Sequence, residues 1–201
     1  MRIENEKQLR ELYDLPSGRV NQKVMTSLDK HARNFINKSP FMVISSVSEN
    51  QELDASPRGG VPGFVKILND NQIILPDSKG NNRIDTLRNI VDTGRVGVIF
   101  LIPGVDETLR LNGSAYISTD PVLMDQLAPE KKPLKACIVL TVEEVFLHCA
   151  KALMRSKLWD KEAKLQRSEF PTMGQMIKDQ IGSDETPESH KDMVERYKKD
   201  V

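Results

Sequence analysis

At 201 residues the chain has room for one domain of ordinary size with appendages, and it can bury a core without disulfide staples. Its 29 Lys and Arg balance 29 Asp and Glu, and a formal net charge of zero argues against a broad nucleic-acid or membrane-surface footprint. Cys137 and Cys149 form no CxxC and no metal spacing, His31, His148 and His190 carry no ligand motif, and no apolar run approaches a membrane span. The charged N-terminus lacks the apolar core of a signal peptide, so the expectation is a cytoplasmic protein with reduced thiols and no metal.

Glu4 to Leu15 reads as a short helix with Leu9 and Leu12 on one face, ended by Pro16-Ser17-Gly18. Val20, Val24, Leu28, Ala32, Phe35 and Ile36 recur at helical spacing and predict an amphipathic helix stopping before Ser39-Pro40. His31, close to that stripe, reads as a packing or surface residue. Phe41 to Val47 is a strand of small and β-branched residues, and Leu53 to Ser56 begins a second, which Gly59-Gly60-Val61-Pro62-Gly63 breaks. Phe64 to Leu68 resumes the sheet, Asn69-Asp70-Asn71 turns the chain, and Gln72 to Leu75 returns. A helix with Ile84, Leu87, Ile90 and Val91 at the right spacing then ends at Gly94, a left-handed cap.

Val96 to Ile102 is the most apolar strand and is expected at the centre. Thr108 to Ile117 alternates as a long strand with a bend at Gly113. Asp120-Pro121 opens a short helix, and Lys135 to Val142 is a strand that Val145 to Cys149 extends. Ala150 to Trp159 reads as helical, with Lys151 and Arg155 one turn apart on the same face. A charged tail follows, with an apolar helical patch (Met173, Met176, Ile177) and a last helix capped at Thr186-Pro187. About six strands at hairpin spacing, with helices between and at both ends, predict a mainly β (α+β) fold, a small antiparallel barrel. The expected divisions are a helical segment over 1–38, the barrel over 39–159 and a charged helical arm over 160–201.

One stretch stands out chemically. The strand ending at Leu75-Pro76 leads into the polar loop Asp77-Ser78-Lys79-Gly80-Asn81-Asn82-Arg83 and then a helix start. Such a start leaves backbone N–H groups without partners, and the helix dipole favours an anion there. Asn81 or Asn82 fits the cap, and Arg83 adds a planar cation suited to phosphate. Upstream, the turn Ser56-Pro57-Arg58-Gly59-Gly60 supplies a second arginine, a hydroxyl and glycines that permit close backbone approach. Two donor-rich turns flanking a short hairpin suggest a site for a phosphorylated small molecule. Spacing alone leaves open a plain capped helix with a solvated Arg83. The loop is neither a Walker A sequence nor a Gly-x-Gly-x-x-Gly fingerprint.

The run Asp54-Ala55-Ser56-Pro57-Arg58-Gly59-Gly60, with Leu75-Pro76-Asp77, Gly80-Asn81-Asn82-Arg83, Glu107-Thr108-Leu109-Arg110-Leu111-Asn112-Gly113 and Phe146-Leu147-His148-Cys149-Ala150-Lys151-Ala152-Leu153, resembles the FMN-binding proteins related to pyridoxamine 5′-phosphate oxidase. The match runs in order from about Leu9 to Trp159. It implies a six-stranded split β-barrel of the flavin-reductase type, homodimeric, with FMN at the subunit interface. Arg58, Asn82 and Arg83 match the family's grip on the FMN phosphate, with Ser56, Asp77 and Asn81 beside them. Leu75 and Pro76 match the strand end beside the flavin ring, and Thr108 falls near a polar residue donated by the neighbouring subunit. His148, Lys151, Arg155 and Trp159 belong to a C-terminal signature that the resemblance places near the flavin, with Lys151 and Arg155 as cofactor contacts, and the segment reads equally as a helix docking on the barrel with its cations at the surface.

The chain also departs from the oxidase. It lacks the C-terminal arginine-x-histidine pair that holds the pyridoxamine substrate, and the family's Arg-x-x-Leu-Leu-Lys strand is replaced by Arg58-Gly59-Gly60-Val61-Pro62-Gly63. The resemblance therefore implies an FMN-dependent oxidoreductase acting on an unidentified small molecule, with no catalytic acid, base or nucleophile marked out. The alternatives are a flavin-binding sensor, store or stress protein without turnover, or a haem- or deazaflavin-binding member of the fold.

Overall fold

The computed structural model describes residues 2–16, 18, 22–78, 80–127 and 134–199. Among these residues seven strands pair antiparallel throughout, in the order β2-β1-β5-β6-β7-β4-β3. They are β1 (Phe41–Val47), β2 (Leu53–Gly59), β3 (Lys66–Ile67), β4 (Gln72–Pro76), β5 (Arg95–Ile102), β6 (Val105–Ser118) and β7 (Cys137–His148). This is the α+β, mainly antiparallel class that the sequence predicts, with seven strands in place of six. The stretch from Phe64 to Leu68, expected to resume the sheet, does so over the two residues of β3, paired to β4 through Lys66↔Ile74 and Ile67↔Ile73.

Strand β2 runs through Pro57 to Gly59, past the Ser56 at which the sequence pattern stops. It is the first strand of the sheet, and at an edge a proline removes no ladder hydrogen bond that is needed. Arg58 thus stands on a strand and not in a turn. Strand β5, expected at the centre, sits one place from it, and β6 takes the middle. Its alternation explains the continuous apolar run: Val96, Val98 and Phe100 are buried, while Gly97, Ile99 and Leu101 on the other face are only half-buried. Across β6 and β7 the register shifts between Asn112 and Gly113, where a Cβ would lie 1.9 Å from the Thr141 carbonyl oxygen. Only glycine lets the two backbones approach that closely.

The α-helices with described bounds are α1 (Glu6–Arg10), α2 (Lys30–Lys38), α3 (Asp85–Thr93), α4 (Pro121–Gln126), α5 (Lys151–Ser156), α6 (Met173–Ile181) and α7 (His190–Tyr197). Helix α2 starts later than the apolar periodicity predicts. Asp29 caps it, accepting from the His31 and Ala32 amides, whereas Met25 is extended and bridges to Val145. Val20 lies outside the described residues. The stripe Leu28, Ala32, Phe35 and Ile36 packs into the sheet's core with Met42, Ile44, Phe100, Leu109 and Leu140, and His31 is exposed. Helix α3 buries Ile90, leaves Ile84 and Val91 exposed, and ends at left-handed Gly94. Helix α4 begins at Pro121 under an Asp120 cap, as expected.

The chain divides into two compact units, Met1–Ala152 and Leu153–Val201. In the second, α6 starts under a Thr172 cap. Helix α7 starts under Ser189, whose hydroxyl accepts from the Asp192 amide, and not at Thr186. No helix among the described residues is long and apolar enough to cross a membrane. Cys137 is buried and Cys149 exposed, and both are free thiols.

Candidate functional site

Pairing of β4 with β7 continues one residue past the strand end, the Asp77 amide donating to the Ala136 carbonyl at 3.1 Å. That bond sets Asp77 beside Lys135, far away in sequence. The loop after Asp77 then reverses through two left-handed residues, Asn82 (φ 62°) and Ile84 (φ 54°). Asparagine adopts that conformation readily. A β-branched side chain does not, at a strain of about 1–3 kcal/mol. The expected asparagine cap is absent: Ile84 stands at the N-cap of α3, and among the described residues no side chain caps its first-turn amides. Asn81 instead spends its Oδ1 inside the turn, accepting from the Arg83 amide at 3.1 Å.

The end of β2, the end of β4, this loop and the first turn of α3 enclose a cleft of about 560 Å³, within the range of small-molecule sites. Of the residues nominated from sequence, Ser56 and Arg58 line it from β2 and Pro76 and Asp77 from β4. Asn81, Asn82 and Arg83 line it from the loop. Leu75 is turned into the core at 1% exposure. Thr108, buried on β6 opposite His148, is not among the lining residues, and its Oγ1 has no hydrogen-bond partner among the described residues. Lys151 and Arg155 are exposed on α5, Lys151 outside the lining and Arg155 in the second unit.

The lining includes residues the sequence reading did not single out: Lys135, Thr86, Asp85 and Phe64. Lys135 carried no local signal, since only the β4–β7 register brings it here. Phe64 packs on Gly60, where a Cβ would meet the Phe64 Cβ at 2.7 Å, so the bare Cα serves the cleft wall itself.

Three cations, Arg58, Arg83 and Lys135, face two carboxylates, Asp77 and Asp85. Arg83 pairs with Asp85 at 2.9 Å while its side chain stays 76% exposed. Arg58 is held more firmly: Nη1 donates to the Pro57 carbonyl at 3.0 Å and Nη2 to Thr86 Oγ1 at 3.3 Å. Thr86 in turn donates to Asp54 Oδ2 at 2.5 Å, and Ser56 Oγ donates to the same carboxylate at 3.0 and 3.1 Å. Burial pushes the Asp77 carboxyl above its ordinary range, against the downward pull of Arg58 and Lys135. A donor-rich, net cationic cleft at an uncapped helix start is suited to a phosphate monoester.

Fold and cleft together define an antiparallel-sheet protein with an anion-receptive site between a sheet edge and a helix start. The sequence profile of the pyridoxamine 5′-phosphate oxidase family matches residues 28–149, more than half of the chain, and the protein belongs to that family. No curated protein sequence matches it. Among solved structures, a variant of HupZ from Group A Streptococcus is similar at 18% identity and TM-score 0.51, covering 62% of this chain and 100% of that one. A second HupZ structure covers 60% and 93% at the same identity and TM-score. A putative pyridoxamine 5′-phosphate oxidase from Lactobacillus delbrueckii is 17% identical, with TM-score 0.49 over 61% of this chain and 95% of that one. At these identities the likeness to HupZ is one of fold.

Proposed function

We propose that this protein is an FMN-binding flavoprotein that works as an FMN-dependent oxidoreductase on a small molecule. The observation carrying the proposal is the convergence of Arg58, Arg83 and Lys135 on one cleft at the uncapped start of α3, in a chain of this family. These residues fit the cofactor's phosphate. Arg58 and Lys135 offer charge to a dianion, the first-turn amides of α3 offer hydrogen bonds, and each charge-assisted contact contributes about 1.5–3 kcal/mol. Pro76 and Phe64 supply apolar wall. When bound, the isoalloxazine supplies the redox chemistry, while the protein supplies grip, orientation and electrostatics.

The proposal includes a homodimer with the cofactor at the subunit interface. The outer face of β1 and β5 supports it: Phe41, Val43, Ile99 and Leu101 stand on neighbouring strands, paired Phe41↔Leu101 and Val43↔Ile99, and none is fully buried. It also includes a cytoplasmic location, which the two free thiols suit.

The test is the absorption spectrum of protein purified without added cofactor, with mass analysis of whatever is released. Flavin bands and released FMN are expected, and Arg83→Ala should fold yet hold FMN at least roughly tenfold more weakly. A colourless protein that ignores supplied FMN refutes the proposal. Bleaching by NADH or NADPH with reoxidation by a substrate marks turnover, and its absence marks a binding protein.

A further inference from the structure

Strand period and helix start meet behind Arg58. Asp54, Ser56 and Arg58 alternate along one face of β2, so all three side chains leave the strand on the same side. Thr86, in the first turn of α3 and 1% exposed, closes onto them. We propose that Thr86 and Asp54 are positioning residues that aim Arg58 at a bound phosphate monoester, an inference that rests on the FMN reading above.

The directions of the hydrogen bonds carry the argument. A threonine hydroxyl has one hydrogen and two lone pairs. Asp54, as a carboxylate, only accepts, and it already takes the Ser56 hydroxyl hydrogen. The single Thr86 hydrogen therefore goes to Asp54 Oδ2 at 2.5 Å, and the lone pairs of Thr86 Oγ1 are left to receive Arg58 Nη2 at 3.3 Å. The Asp54 side chain thus fixes which way Thr86 points, and Thr86 fixes where the guanidinium rests. Of the five N–H donors of Arg58, the Pro57 carbonyl and Thr86 take one each, which leaves others for an incoming phosphate oxygen. A free arginine side chain would lose rotamer freedom on binding. A pre-aimed one has lost it already, and that difference appears as affinity. Arg83 has no such support, since it pairs with Asp85 inside its own turn at high exposure.

The experiment titrates apoprotein with FMN and with riboflavin, which lacks the phosphate, following flavin fluorescence. Thr86→Val is nearly isosteric and removes both hydrogen bonds at once, while Thr86→Ser keeps them. Thr86→Val should weaken FMN by about tenfold and leave riboflavin unchanged, with Thr86→Ser restoring FMN affinity. The double variant Arg58→Ala/Thr86→Val should bind FMN no more weakly than Arg58→Ala alone, because the two residues act as one unit. Wild-type FMN affinity in Thr86→Val, beside lost affinity in Arg58→Ala, overturns the positioning role and leaves the FMN reading standing. Full FMN affinity in Arg58→Ala overturns the role of Arg58 and this inference while leaving the FMN reading standing, and wild-type protein that binds no FMN removes both. Should Thr86→Val fail to fold, Asp54→Asn decides: a lowered preference for FMN over riboflavin supports the inference, and an unchanged preference ends it.

Discussion

Asn89 donates its side-chain amide to Ser46 Oγ at 3.0 Å, a buried bond between residues 43 apart in sequence. Thr93 Oγ1 donates to the Val47 carbonyl at 2.7 Å one turn later. Helix α3 is therefore pinned to β1 at its middle and its end, while its first turn, which walls the cleft, is tied to β2 through Thr86 and Asp54. Ser46→Ala leaves the Asn89 amide buried without that acceptor, at a cost of about 1–3 kcal/mol. A chain of this size should then melt several degrees lower, since about 1 kcal/mol shifts Tm by roughly 2–4 °C. An unchanged melting temperature would mean that water or a rotated Asn89 replaces the bond.

The pair Arg83–Asp85 makes a prediction of opposite sign to the loss of Arg83. Asp85 occupies that guanidinium at 2.9 Å and adds a negative charge to the lining. Asp85→Asn keeps the shape, releases Arg83 and makes the cleft more cationic. FMN should bind a few-fold tighter at low salt, with the gain shrinking as salt screens an exposed site. Calorimetric titration at two ionic strengths checks this. Weaker binding in Asp85→Asn would show that Asp85 orients Arg83 and does not compete for it.

The strands were readable because their signal is local. The small and β-branched run 41–47, the apolar run 96–102 and the alternating run 108–117 appear in the sheet as β1, β5 and β6, and Gly94 and Asp120-Pro121 end and begin helices where their chemistry says they should. What failed depends on partners distant in sequence. Val24 and Leu28 fit a helical period with the stripe that follows, yet the Met25–Val145 bridge draws the chain out between them, and the Asp29 cap was the competing signal. Pro57 and Gly59 read as breakers, but on an edge strand they are tolerated, so Arg58 was read as a turn residue. Ile84 in a left-handed conformation has no sequence signature, and it displaced the expected asparagine cap. Ser189 with Asp192 three residues on was a readable cap that Thr186-Pro187 overshadowed. Lys135 reached the cleft through strand register alone.

Asp77 gives the cleft a pH signature. Its carboxyl is raised above 3.8 by burial, with Arg58 and Lys135 opposing. Between the unfolded and folded values, the native state keeps a proton that the unfolded chain has released. Stability from this group is therefore greatest at low pH, falls as pH rises through that window and stays lower above it. Asp77→Asn cannot ionise, so it should be more stable than wild type near neutral pH, and the difference should close as pH approaches 3.8. Urea unfolding at several pH values reads this directly. A variant less stable than wild type at pH 7 would mean that the attraction to Arg58 and Lys135 outweighs burial.

Gly113 is where the sheet's longest pairing would break first. A Cβ there would sit 1.9 Å from the Thr141 carbonyl oxygen and 3.1 Å from its carbonyl carbon, and both are backbone atoms that no rotamer change can move. The register shift between Asn112 and Gly113 lies beside it, so the strands cannot separate without giving up the pairs that run on to Ser118↔Cys137. That same stretch of β7 pairs with β4 through Leu75↔Ile138 and Pro76↔Cys137, the strand end that delivers Asp77 to the cleft. Gly113→Ala should therefore destabilise the fold by about 1–3 kcal/mol or more, as overpacking against rigid atoms does. It should also weaken FMN binding although it touches no lining residue. Thermal melts and FMN titration of the same sample check both, and a stable Gly113→Ala with normal affinity would mean that β7 can shift without disturbing β4.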